Sequence, residues 1–151
     1  AAVVVFGETP YAEFQGDRAS LALDPELTGP YETMRKLKAQ GIPVIALMLT
    51  GRPLYANPAL NSADAFVVAW LPGSEGEGVA DVLVGDADGT PRFDFVGKLP
   101  AAWPRTADMK DGKLFDYGYG LTYSSPSRAW SALPDALKAG IVAMVRASSG
   151  E

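Results

Sequence analysis

Histidine and cysteine are both absent from the 151 residues. Without cysteine there is no disulfide, no thiolate nucleophile and no cysteine-ligated zinc or iron–sulfur site. Without histidine there is no Ser-His-Asp triad, no proton shuttle near neutral pH and no imidazole ligand for a metal. Acid–base chemistry in this chain falls to carboxylates, lysine or tyrosine. Positive charge is scarce as well: 13 Lys+Arg against 18 Asp+Glu leave a net charge of −5. No basic run is present to neutralise phosphates, so neither nucleic acid nor an anionic membrane surface is expected as a partner. The apolar runs are far shorter than the ~20 residues of a membrane span. Internal repeats are missing too, and Asp86 and Asp88 are too few for a calcium loop, so no metal site is expected.

What is present is globular composition, 48% hydrophobic and 21% charged, in a length typical of one domain. Three short apolar runs, residues 1–6, 43–49 and 65–70, are rich in β-branched residues and do not alternate in polarity. They read as strands covered on both faces. The first has no lead-in, and both ends of the chain read as points where something longer was cut. Asp24-Pro25-Glu26 reads as a helix cap with Pro at the first position. Gly29-Pro30 interrupts it, so the main helix is expected over 30–40. It carries Tyr31, Met34 and Leu37 on one face, and Gly41 is its terminating glycine. A short helix follows Asn57-Pro58. Another is expected over 76–84, with Val79, Val82 and Leu83 inward. This alternation of strand and helix predicts a parallel sheet with helices on both faces, an α/β fold of flavodoxin-like sandwich type. Asp88-Gly89 marks a turn. Residues 99–103 are a candidate further strand, 105–123 an irregular Gly- and aromatic-rich stretch, 124–133 a linker, and 134–147 a last amphipathic helix.

In an open parallel sheet the carboxyl ends of the strands carry the sites. The loop after the first strand holds Glu8 and Glu13, candidates for general acid/base work, or else two solvated surface charges. Arg52, after the second strand, is placed to hold a ligand or to brace loops through an ion pair, with Asp17 the expected partner. The turn at 73–78 has the glycines of a phosphate loop. It lacks the lysine of one, and its two Glu repel phosphate, so a structural turn is the expectation. Tyr117-Gly118-Tyr119-Gly120-Leu121-Thr122-Tyr123 is an aromatic platform for a sugar, or packing bulk beside glycines. Trp70 and Trp103 end apolar runs and are expected in a core or an interface.

The combination is more specific than its parts. Gly7-Glu8-x-Pro10-Tyr11-x-Glu13-x-x-Gly16-Asp17 is followed by Gly51-Arg52-Pro53. Next come Ala69-Trp70-Leu71-Pro72-Gly73-Ser74-Glu75-Gly76 and Gly97-Lys98-Leu99-Pro100 with Trp103-Pro104. Leu114-Phe115-x-Tyr117 through Tyr123 closes the set. In this order they resemble the second domain of glycoside hydrolase family 3, the β-glucosidase and β-glucan exohydrolase family, in its bacterial 1,4-β-D-glucan glucohydrolase type. The resemblance covers 1–123. It implies the later part of an α/β sandwich, incomplete at its N-terminus, with 124–151 a linker and helix leading toward a missing C-terminal domain. It implies a retaining hydrolase that removes terminal β-D-glucosyl residues, with two carboxyl groups about 5–5.5 Å apart. The nucleophile comes from a (β/α)8-like barrel that this chain lacks, so the chain alone is expected to be inactive. By position in the motif, Glu13 is the implied acid/base, with Glu8 the alternative. No cofactor is implied. The implied partners are a β-glucoside or glucan oligosaccharide and the barrel of the same parent, and the implied location is periplasmic or extracellular. Apolar surface left without its neighbours is expected to drive self-association. The rival readings are a non-catalytic carbohydrate-binding module built on the 117–123 aromatics and a flavodoxin-like phosphate-binding domain.

Overall fold

Three strands, β1 (Ala2–Gly7), β2 (Val44–Leu49) and β3 (Ala65–Trp70), lie side by side in the order β1-β2-β3 in a computed structural model that describes residues 1–126. All are parallel, with Ala2 opposite Val44 and Ile45 opposite Ala65. The three apolar runs thus became the strands expected of them, within a residue at each end. The β2–β3 register slips between Met48 and Leu49, so Leu49 pairs with Trp70. Trp70 takes φ of 54°, a left-handed value that costs a bulky side chain energy.

Helices α1 (Gly29–Ala39) and α2 (Asn57–Ser62) pack on each other and on the sheet. The face they cover presents Phe6, Val44, Ala46, Met48 and Phe66, which join Tyr31, Met34, Ala59 and Leu60 in one core. The Phe6 ring meets Tyr31 edge-on at 5.6 Å and Phe66 at 6.5 Å. The polarity of α1 suits its dipole, with Glu32 in the first turn and Lys36 and Lys38 in the last. It ends as the sequence predicts. Gly41 takes φ of 75°, its N–H donates to the Lys38 carbonyl, and the Ile42 N–H donates to Leu37, which satisfies the orphan carbonyls of the last turn. Asp64 ties the helix end to the sheet. Its carboxylate accepts from the buried Val44 N–H at 2.9 Å and pairs with Lys38 Nζ at 3.0 Å.

Three expectations need correction. Asp24 does not cap a helix with its side chain. Residues Pro25–Leu27 form only a 3-10 turn, and Asp24 pairs with Arg18. Helix α3 (Gly76–Leu83) has no buried residue, so Val79, Val82 and Leu83 are half-buried rather than core. Residues 99–103 are not a strand. Pro100 has no N–H to donate to a ladder. The pairing falls one step later, where β4 (Trp103–Pro104) runs antiparallel to β5 (Lys113–Phe115). Trp103 is fully buried and lies 6.3 Å from Trp70, so both tryptophans serve the core. Leu99 is held instead by the aromatic segment: its N–H donates to Tyr119 and its carbonyl accepts from Gly118. There the two glycine motifs touch, because a Cβ on Gly120 would stand 2.4 Å from the Gly97 carbonyl oxygen. The helix expected over 134–147 lies outside the described residues.

On the uncovered edge, Val3 and Val5 of β1 are about half exposed (48% and 53%), an apolar strip in an otherwise well-packed sheet. No helix among the described residues is long and apolar enough to cross a membrane.

Candidate functional site

The carboxyl ends of β1 and β2 converge because the strands are register neighbours. Gly7 pairs with Leu49, so the next residues, Glu8 and Thr50, stand side by side. The strands approach closely there. A Cβ on Gly7 would sit 2.1 Å from the Leu49 carbonyl oxygen, which only glycine tolerates.

Glu8 is buried, its side chain only 4% exposed. Its carboxylate is held by three donors from the turn after β2. Thr50 Oγ1 lies 2.7 Å from Oε1, Gly51 N–H reaches Oε1 at 3.3 Å, and Arg52 Nε reaches Oε2 at 3.1 Å. Thr50 is itself fully buried, and its oxygen accepts from the Arg52 N–H. Charge-assisted bonds of this kind are what a buried carboxylate requires. Arg52 is therefore a loop brace, one of the two roles open to it, but its partner is Glu8 and not Asp17. Asp17 is exposed, farther along the loop.

The same guanidinium reaches two more points. Its Nη1 donates to the Gly16 carbonyl, and its carbon lies 3.9 Å above the centre of the Tyr11 ring. Tyr11 in turn packs against glycines. A Cβ on Gly16 or on Gly51 would come within 2.7 Å of Tyr11 atoms. Between Tyr11 and Gly16 the backbone turns tightly, with Gly16 N–H donating to Ala12 and Asp17 N–H to Phe14. Phe14 takes φ of 41° and is 84% exposed. Glu13 rides this turn. It is exposed, and its carboxylate has no partner among the described residues. A polar cavity of about 240 Å³ lies beneath, lined by Glu8, Thr9, Gln15, Arg18, Asp24 and Arg52 among others.

The two glutamates thus occupy opposite environments. Glu8 is desolvated and fully engaged; Glu13 is free and presented outward on a braced turn. The sequence assigns no role to Thr50 or to the Tyr11 ring. The signal for Thr50 is a hydroxyl closing an apolar strand immediately before Gly51-Arg52.

The other candidates are accounted for by packing. The 73–78 turn closes on itself: Gly73 has φ of 56°, Glu75 N–H donates to Pro72 and Gly78 N–H to Glu75. In the aromatic segment Tyr119 stacks on Phe115 at 4.3 Å, and burial pushes its hydroxyl pKa up. Tyr123 packs on Phe95 at 5.3 Å and donates its hydroxyl proton to the Val82 carbonyl. Burial first, and Asp94 second, raise its pKa. Only Tyr117, 76% exposed, faces outward, so the segment presents one ring and not a platform of three. Among the described residues no group of His, Cys, Asp and Glu could hold a metal ion.

The sequence profile of the glycosyl hydrolase family 3 C-terminal domain matches residues 1–123. A lysosomal beta glucosidase of Dictyostelium discoideum is 33% identical over 138 residues, covering 82% of this chain and 16% of that protein. A periplasmic beta-glucosidase of Salmonella typhimurium is 30% identical over 119 residues, covering 59% and 15%. The crystal structure of an exo-1,3/1,4-beta-glucanase from a Pseudoalteromonas species superposes with a TM-score of 0.75 at 44% identity, covering 94% of this chain and 18% of that one. The chain thus spans about one sixth of the length of the proteins it matches.

Proposed function

The chain belongs to glycoside hydrolase family 3, and from that premise we propose that it supplies the general acid/base of a retaining exo-β-glucosidase or glucan exohydrolase. The proton donor is Glu13. The nucleophile comes from a separate barrel domain of the parent enzyme, and the substrate is a β-glucoside or glucan oligosaccharide bound between the two. The observation that carries the assignment is the contrast between the glutamates. A general acid needs a carboxyl group able to reach a leaving-group oxygen on another body, and Glu13 stands exposed and unpaired on the turn. The Glu8 carboxylate is buried under three donors, one of them Arg52, so its role is structural. The periplasmic relative supports action outside the cytoplasm.

The test is Glu13→Gln in the full-length enzyme, read as kcat/KM over β-glucosides with good and poor leaving groups. Proton donation matters most for poor leaving groups, so unactivated alkyl glucosides should lose about 10²–10⁴-fold. A dinitrophenyl glucoside, which leaves without a proton, should lose far less. Equal losses across the series count against Glu13 as the acid. The 151-residue chain alone, with one carboxylate of the pair, serves as the inactive blank.

A further inference from the structure

Resting on that assignment, we infer that Arg52 is the positioning residue of the acid/base, acting through the shape of the turn that carries Glu13. One guanidinium touches that loop at three places. Its Nε pairs with Glu8, where the loop leaves β1. Its face lies 3.9 Å from the Tyr11 ring, before Glu13. Its Nη1 binds the Gly16 carbonyl, after Glu13. The loop is thereby closed into a ring through a side chain rooted in the turn that follows the neighbouring strand. Gly16 and Gly51 let Tyr11 lie flat against this brace, since a Cβ on either would strike the tyrosine at 2.7 Å.

The arrangement matters because Glu13 has no side-chain partner of its own among the described residues. Its place is set by the backbone between Tyr11 and Gly16, and Arg52 grips both flanks of that backbone. The planar fork is essential to this: it donates along two edges while its face stacks on an aromatic ring. A lysine in its place can neutralise Glu8 but cannot also bind Gly16 and cover Tyr11. The charge that makes burial of Glu8 tolerable and the grip that shapes the turn are therefore separable.

Arg52→Lys in the full-length enzyme separates them. A misplacement of about 1 Å at a reacting group costs about 10²-fold. The variant should therefore remain folded and lose about that factor in kcat/KM on an alkyl β-glucoside. It should lose only about 3-fold or less on a dinitrophenyl β-glucoside, where proton donation contributes little. The dependence on leaving-group pKa steepens accordingly, a readout that general loosening of the fold does not produce. If the lysine variant does not fold, Tyr11→Leu takes its place, because it removes the stacking surface and leaves the Arg52–Glu8 pair intact. Leaving-group-selective loss in the variant that folds supports the inference. Equal loss on both substrates, or no loss on either, overturns it. Glu13→Gln runs beside them. If it too lacks leaving-group selectivity, the acid assignment has failed and the inference falls with it. If Glu13→Gln is selective and the Arg52 and Tyr11 variants are not, the inference fails alone.

Discussion

Replacing Gly7 by alanine tests whether the end of the sheet is as tight as its geometry implies. The added methyl would stand 2.1 Å from the Leu49 carbonyl oxygen and 2.9 Å from its carbon. Non-bonded carbon contacts are comfortable near 3.5–4.0 Å, so β1 and β2 must part by on the order of 1 Å. Both atoms belong to backbone, which cannot swing aside as a side chain would. Overpacking of this kind costs ~1–3 kcal/mol. The Glu8 N–H bond to that same carbonyl, 3.3 Å long, is lost in the parting and adds ~1 kcal/mol. The expected destabilisation is therefore ~2–4 kcal/mol. Urea titration followed by tryptophan fluorescence should show the midpoint falling with an unchanged slope. Gly78→Ala is the control. Nothing lies within 4 Å of the methyl it would add, and alanine in a helix interior is favoured over glycine by up to ~1 kcal/mol. A Gly7→Ala variant within ~0.5 kcal/mol of the parent, the range of ordinary surface substitutions, would refute the reasoning.

Two further outcomes follow from the core. The pKa of Tyr31 is raised to about 12, chiefly by burial and secondarily by Tyr55. A folded-state value above the unfolded one contributes stability below pH ~10 and loses it as the pH climbs toward 12; a shift of this size is worth roughly 2–3 kcal/mol. Tyr31→Phe should flatten that alkaline loss in urea midpoints measured on either side of the unfolded value, and an unchanged slope with pH would speak against burial of the neutral phenol. Asp64→Ala removes the acceptor of the buried Val44 N–H and should cost ~1–3 kcal/mol. Lys38→Ala breaks its one-third-exposed pair with Asp64 and the Nζ bond to the Ala63 carbonyl but leaves the Val44 bond in place, and should cost ~1 kcal/mol. Thermal melts giving the reverse order would show that the ion pair, not the backbone bond, is what matters there.

Much of this fold is legible without coordinates. The apolar runs mark the strands, although β1 leaves Val3 and Val5 half exposed on one face, and the glycine and proline punctuation between them leaves little choice of helix. Glu13 is legible only through the wording of a family motif, and no physical pattern in the chain distinguishes it from any exposed glutamate. The partner of Arg52 is hidden for a definite reason. Asp17 and Glu8 belong to the same loop motif, but parallel pairing brings together the residues that follow neighbouring strands, and those are Glu8 and Thr50. Assuming an in-register β1–β2 pair finds the ion pair. The 99–103 run misleads because its apolar content outweighs the missing N–H of Pro100 in any pattern count. The faces of α3 mislead because a helical apolar stripe does not say how deeply its helix sinks.

The meeting of Gly120 with the Gly97 carbonyl has a consequence for how this family can be compared across species. The clash that forbids a side chain at Gly120 is with a main-chain atom, which every amino acid possesses. No change of residue at position 97 can therefore compensate for a change at position 120. Contacts found through paired substitutions depend on such compensation. This one would leave no correlated signal, and two segments more than twenty residues apart would look independent while resting against each other.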